Sequence, residues 1–308
     1  MKKLTIFTPT YNRAYCLINC YESLKRQTNM DFVWLIIDDG STDETEKLVF
    51  NWIEERIVEI IYIKQENQGM HGAHNTAYES IETELNVCID SDDYMPNDAV
   101  EKILTCWEMY GSDEVSGIIG LDSYTDGKII GTRLPKGLKR STLFLLYRKH
   151  KVTGDKKVVY RTELTRDFPY PLYKNEKYVG LAYKYYKLDQ YFEMILLDEV
   201  LCCVEYLEDG SSLNMFSQYR RNPRGFAFYR RELMSLPFAD YSYKFRQAIH
   251  YVSSSIMEKN LNYLQKAPSR VMTLSATPFG IVLYFYIMFK TRHVKTTMKS
   301  IIDSKGIS

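Results

Sequence analysis

The first hundred residues alternate short apolar runs with stretches of helical periodicity. Leu4–Phe7 reads as a strand ending at Thr8-Pro9-Thr10, and Ala14–Gln27 carries Leu17, Tyr21 and Leu24 on one helical side. Val33–Ile37 is a second strand, closed by Asp38-Asp39-Gly40. Ser41-Thr42-Asp43-Glu44 then reads as a capping box opening a helix to about Glu55. Strands at Glu59–Ile63 and Leu85–Ile89 follow, with helices near Gly72–Ile81 and Asn97–Tyr110. Strands that alternate with amphipathic helices need crossover connections, which predicts an α/β fold with a mostly parallel sheet flanked by helices. In such sheets ligands bind beyond the carboxyl ends of the strands. The polar clusters Thr8–Arg13, Asp38–Gly40, Glu66–Gly69 and Asp90–Asp93 all fall at those ends. Four clusters on one rim describe a site.

After Tyr110 the pattern is mixed. Strands are expected at Val115–Leu121, at Lys128–Thr132 behind the turn signal Asp126-Gly127, at Lys157–Tyr160 and at Leu196–Val204. A tyrosine-rich helix is expected over Tyr178–Tyr191, and from Ser211 onward the reading is helical. The most apolar window, Thr273–Phe289, is interrupted by Pro278 and Gly280. About ten unbroken apolar residues remain, too few to span a bilayer. Lys290, Arg292, Lys295 and Lys299 follow it directly. A short apolar helix beside cations fits an interfacial anchor on an anionic membrane surface, and equally a core or dimer helix.

Charge divides the chain. Its 308 residues carry a net charge of +1, but residues 1–210 hold 25 Lys+Arg against 35 Asp+Glu, and residues 211–308 hold 15 against 4. An acidic body over 1–210 and a basic helical region over 211–308 predict different partners for the two parts. The hydrophobic share of 45%, with only 9 prolines and 15 glycines, excludes disorder and collagen-like repeats. The six cysteines (Cys16, Cys20, Cys88, Cys106, Cys202 and Cys203) form no CxxC pair, which argues against a zinc site or a disulfide framework and fits a reducing cytoplasm. The amino-terminal apolar run of four residues is too short for a signal peptide. No P-loop, GxGxxG, GxSxG or HExxH is present.

Asp90-Ser91-Asp92-Asp93 is the sharpest chemical signal. Carboxylates this close repel one another unless a cation neutralises them. Asp90 and Asp92 project to the same side of an extended chain, and Mg²⁺ or Mn²⁺ is commonly held by one or two carboxylates plus substrate phosphates. The plainer reading is an acidic helix N-terminus. Asp38 and Asp39 either accept hydrogen bonds from a base or ribose or cap the next helix. Thr8–Arg13 offers hydroxyls, a ring for stacking and a guanidinium for phosphate. Gly69 and Gly72 permit close backbone approach to a ligand. His71 and His74 lie three apart, but with no third soft ligand, hydrogen bonding or packing outweighs zinc.

Together Thr8-Pro9-Thr10-Tyr11-Asn12-Arg13, Ile36 to Asp43, Asn67-Gln68-Gly69 with His74-Asn75, and Asp90-Ser91-Asp92-Asp93 resemble the family 2 glycosyltransferases of GT-A fold. Glu205–Gly210 and Asn222-Pro223-Arg224-Gly225 resemble segments of a bacterial subgroup. The resemblance implies a nucleotide-sugar donor, UDP-linked, and inverting transfer to a saccharide or lipid-linked saccharide acceptor in surface polysaccharide synthesis. The implied place is the cytoplasm, peripheral on the inner face of the cell membrane, with no nucleic-acid partner. Carried over to this sequence, Thr8, Tyr11, Asp39, Gly69, His74 and Asp90 would bind the nucleotide, and Asp92 with Asp90 would hold Mn²⁺ or Mg²⁺. The general base would be Glu176 or, second, Asp189. Two rivals stay open: a sugar nucleotidyltransferase and a non-catalytic nucleotide-sugar-binding module.

Overall fold

The computed structural model describes residues 2–205 and 215–292. The chain forms two units, residues 1–170 with 184–207, and residues 171–183 with 208–308. A boundary at residue 210 therefore misses segment 171–183, which sits among the helices of the second unit.

The first unit holds one eight-stranded sheet. Its strands are β1 (Leu4–Thr10), β2 (Phe32–Asp38), β3 (Ile60–Lys64), β4 (Leu85–Cys88), β5 (Val115–Tyr124), β6 (Arg140–Ser141), β7 (Lys156–Arg161) and β8 (Glu193–Val204). They lie in the order β3-β2-β1-β4-β7-β5-β8-β6. β7 and β6 run antiparallel to their neighbours and every other pairing is parallel. Helices α1 (Ala14–Lys25), α2 (Thr45–Glu55), α3 (Met70–Ser80) and α4 (Ala99–Tyr110) make the crossovers, and α5 (Leu143–Arg148), α6 (Thr162–Thr165) and α7 (Ala182–Leu188) follow. The chain winds outward from β1 through β2 to β3, then returns to place β4 on the other side of β1. That reversal between β1 and β4 opens a crevice beyond their carboxyl ends, the usual ligand position in such sheets.

Alternation along the strands explains the core. Leu4, Ile6, Trp34 and Ile36 are fully buried with Leu17, Tyr21 and Leu24 of α1. The Tyr21 and Trp52 rings stack with centroids 4.3 Å apart, and Trp34 lies 5.7 Å from Trp52. On the opposite face, Phe7 meets His74 edge-on at 5.1 Å and Tyr78 at 5.3 Å.

The second unit contains α8 (Met215–Arg221), α9 (Pro223–Met234), α10 (Tyr241–Met257), α11 (Tyr263–Lys266) and α12 (Arg270–Lys290). Ala227, Met234, Ala248, Tyr251, Met272 and Ala276 form its buried cluster.

Several expected elements change. The stretch expected as a strand at Lys128–Thr132 contributes only an isolated bridge, Ser123 to Ile129. The tyrosine-rich helix shrinks to Ala182–Leu188. The expected capping box does not form. The Ser41 hydroxyl instead accepts from Asn12 N at 2.9 Å, and Asp43 accepts from Thr45 N at 3.1 Å. The apolar window lies within one 21-residue helix, Arg270–Lys290, unbroken at Pro278; by length and composition it is long enough to cross a membrane, contrary to the expected run of about ten residues.

Candidate active site

Four loops build the rim, and hydrogen bonds between their side chains fix its shape. Asn12, in the left-handed region at φ 53°, accepts from Thr42 N at 2.8 Å. Asp43 accepts from Ala14 N at 3.1 Å, so the loop after β1 is tied to the loop after β2 at three points. Asp38 is buried. It accepts from Ser41 N at 2.7 Å and from the Tyr62 hydroxyl, whose pKa burial and this carboxylate push upward.

Asp39 organises the third loop. Its carboxylate accepts from Gln65 Nε2 at 2.7 Å, Gln68 N at 2.8 Å and Gly69 N at 2.7 Å. Gly69 adopts φ +83° at the start of α3, a conformation an L side chain rarely takes. Gly40, at φ +85°, brings its backbone so close that an added Cβ would lie 3.1 Å from Asn67 N. The glycines and Asp39 thus hold segment 65–69 against the end of β2.

The acidic loop follows β4. Asp93 N donates to Asp90 O at 3.0 Å, closing a turn, and the Tyr94–Cys203 bridge pins that turn to the end of β8. Asp93 is buried, accepting from Glu205 N at 3.3 Å and from Cys202 Sγ at 3.6 Å. Burial raises its pKa, and neighbouring Asp90 and Asp92 add to the rise against Lys157. Asp90 and Asp92 stay partly exposed. Asp92 pairs with Arg13 at 3.4 Å, both side chains 19% exposed. Arg13 also reaches the Tyr15 hydroxyl at 3.0 Å.

Among the described residues, no three or more His, Cys, Asp or Glu side chains converge into a complete metal cage. Two hard, partly exposed carboxylates two residues apart nevertheless fit Mg²⁺ or Mn²⁺, which keep much of their shell for water and phosphate oxygens.

Lys157 carries no local sequence signal of a role in the site. It sits on β7, where an antiparallel pairing inserts it between β4 and β5, and its Nζ donates to Cys88 O at 3.4 Å. Burial works against its charge, but Cys202, Asp122, Asp93 and Asp90 outweigh that and hold the ammonium well above the ordinary lysine value. It balances the acidic loop from beneath. Only the tertiary pairing brings it there.

Other expected residues take other places. The Thr8 hydroxyl is fully buried and accepts from Trp34 Nε1 at 2.9 Å, so it faces the α1 core rather than the rim. Tyr11 is 49% exposed at the end of β1, open to a stacking partner. His74 lies inside a ring cluster with Phe7, Tyr78 and Tyr170, its Nε2 3.7 Å from Cys88 Sγ. Burial, then Lys184 and His71, lower its pKa to about 3, so the ring is a neutral imidazole inside this cluster.

The two carboxylates expected as bases both cap helices. Asp189 accepts from Leu143 N at 3.3 Å and Phe144 N at 2.8 Å, at the first turn of α5. Burial raises its pKa to about 7. Glu176 belongs to the second unit and accepts from Arg224 N at 3.0 Å and Gly225 N at 2.8 Å, at the first turn of α9. In the bacterial-subgroup stretch, Asn222 accepts from Lys177 N at 2.7 Å and Pro223 opens α9. Residues 206–210 of the other such stretch, together with Lys295 and Lys299, lie outside the described residues.

A cavity of about 400 Å³ lined by Glu84, Trp107, Asp113, Arg161 and Arg166 lies at the start of β4, the opposite edge of the sheet from this rim.

A family model described as "Glycosyl transferase family 2" matches residues 5–168. The teichoic acid poly(glycerol phosphate) polymerase of Staphylococcus epidermidis is 38% identical over 101 residues, 32% of this chain and 14% of that protein. The chondroitin synthase of Escherichia coli is 35% identical over 101 residues, 33% of this chain and 15% of that protein. The chain thus spans only a small part of the length of these relatives. The structure of S. aureus TarS 1-349 in complex with UDP-GlcNAc aligns over 94% of this chain and 92% of that one, with TM-score 0.64 and 17% identity. The mannosyltransferase PcManGT from Pyrobaculum calidifontis, in complex with GDP-Man and Mn²⁺, aligns over 97% and 84%, with TM-score 0.54 and 18% identity. With its loops gathered at the β1/β4 crevice and the family match running from β1 into the segment after α6, this chain belongs to glycosyltransferase family 2 and has the GT-A fold.

Proposed function

We propose that this glycosyltransferase transfers a sugar from a UDP-linked donor, with inversion and with Mn²⁺ or Mg²⁺. The acceptor is a saccharide or lipid-linked saccharide of a bacterial surface polysaccharide, met on the cytoplasmic face of the cell membrane. One observation carries the reading: Asp90 and Asp92 stand partly exposed beyond β4, with Arg13 paired to Asp92 across the crevice from the end of β1. The names of the relatives, and the UDP-GlcNAc held by the similar TarS structure, support the substrate class.

Asp90 and Asp92 would hold the metal, which when bound supplies positive charge against the departing diphosphate. The Arg13 guanidinium offers two parallel N–H donors suited to a diphosphate oxygen pair. The exposed Tyr11 ring offers a face to the base. Asp39 acts through segment 65–69, whose backbone it fixes by three hydrogen bonds. Inverting displacement also needs a carboxylate base near the acceptor hydroxyl. Glu176 and Asp189, buried and each bonded to two backbone N–H groups, fit helix capping better than that task.

Incubation with UDP-sugars and candidate acceptors, with and without Mn²⁺, tests the reading. UDP released together with a glycosylated product is expected. Pyrophosphate release would point to nucleotidyl transfer, and binding without turnover to a donor-binding module.

A further inference from the structure

Helix α12 has two unlike sides. Thr273, Ala276, Gly280 and Ile287 are buried, and the small residues let α12 approach α10 closely. A Cβ added at Gly280 would lie 2.5 Å from the Val252 side chain and 3.0 Å from Ile249 O. On the other side, Val271, Leu274, Val282, Phe285 and Phe289 are each more than half exposed. Their spacing of 3, 8, 3 and 4 residues puts them on one helical face along almost the whole helix, roughly 30 Å at 1.5 Å per residue. Exposing so many large apolar side chains in a row to water is unfavourable and marks an interaction surface.

The charges around that face select its occupant. From Ser269 to Arg292 the chain contains no Asp or Glu, while Arg270 stands at one end of the helix and Lys290 and Arg292 at the other. Lys290 lies over the Tyr286 ring at 5.9 Å and Arg292 over Phe289 at 4.4 Å, so both cations border the apolar face. Arg220 closes the carboxyl end by donating to Thr291 O at 2.8 Å. A second copy seated on this face would bring cationic ends together without compensating acids, which is unfavourable. An anionic bilayer satisfies both features, taking the apolar residues into the headgroup–acyl boundary and the cations onto phosphates. Crossing the bilayer would carry the packed α10, with the unburied charges of Lys244 and Arg246, into hydrocarbon.

We propose that the outward face of α12 lies flat in the interface of an anionic phospholipid bilayer and does not span it. This inference is independent of the donor and metal reading, because it is read on vesicles without nucleotide.

The test is co-sedimentation of the full chain with phosphatidylglycerol/phosphatidylcholine vesicles and with pure phosphatidylcholine vesicles, at low and high salt. Binding at least tenfold stronger to the anionic vesicles is expected, weakening with salt. V282E/F285E, at exposed positions and with an unchanged melting temperature, should lose at least tenfold of that binding. Protein on bacterial membranes should be released by an alkaline carbonate wash. Equal binding by V282E/F285E, no binding by the unmodified chain, or retention through the carbonate wash would overturn the proposal. So would a stable dimer that V282E/F285E dissolves in the absence of any vesicle binding.

Discussion

The sheet core of the first unit and helix α12 of the second deploy their aromatic side chains in opposite ways. In the first, rings face inward: Tyr21, Trp34 and Trp52 stack beneath one face of the sheet, and Phe7, His74, Tyr78 and Tyr170 pack on the other. In the second, Phe279, Phe285 and Phe289 of α12 face solvent. Charge divides the same way, acidic over residues 1–210 and basic over 211–308. The first unit spends its apolar side chains on a rigid platform and leaves its loops polar, as positioning of a charged ligand requires. The second keeps an apolar surface with cations at its ends, as attachment requires. What a residue does here follows from what surrounds it rather than from its type.

Carboxylates make the contrast testable within the first unit. Replacing Asp189 with Ala removes the acceptor for Leu143 N and Phe144 N at a buried helix start. It should cost about 2 kcal/mol of unfolding free energy in urea titration, with transfer per folded molecule retained. A selective loss of turnover at full stability would instead make Asp189 a base.

The next effect concerns acid. His74 is held neutral, with a pKa of about 3 in the folded chain against an ordinary value near 6.5. Its contribution is therefore fully present above about pH 6.5 and is lost as pH falls toward 3. His74→Phe should flatten the decline in stability between pH 6.5 and 4.5, a difference on the order of 2 kcal/mol at the lower pH. The same slope in both proteins would place the acid sensitivity elsewhere.

The smallest effect is at Tyr11. Tyr11→Ala should weaken UDP binding by about tenfold, the scale of one base-stacking contact, without moving the melting temperature. Unchanged affinity would remove this ring from the nucleotide.

Much of the first unit was legible because its signals are local. Strand ends, turn residues and acidic pairs sit next to one another in sequence, so Asp38-Asp39-Gly40 and Asp90–Asp93 announce a rim before any tertiary contact is known. The roles of Glu176 and Asp189 were not legible. Their partners lie 48 and 49, and 45 and 46, residues away, and nothing in the flanking sequence marks them as caps. Lys157 was hidden for the same reason, since an antiparallel insertion brings β7 beside β4. The burial of His74 and Thr8 was not legible, because a polar residue at a strand or helix end suits an interior hydrogen bond as well as a rim. Pro278 misled in another way, because α12 packs on α10 strongly enough to continue through it.

The central claim is that Asp92, with Asp90, couples a divalent cation to the donor diphosphate. Calorimetric titration of UDP into the protein with and without Mn²⁺, repeated with Asp92→Ala, tests it most directly. The account predicts that Mn²⁺ tightens UDP binding at least tenfold in the unmodified chain and less than twofold in D92A, with equal melting temperatures. Equal UDP affinity with and without Mn²⁺ in the unmodified chain, or full coupling retained in D92A, would contradict it.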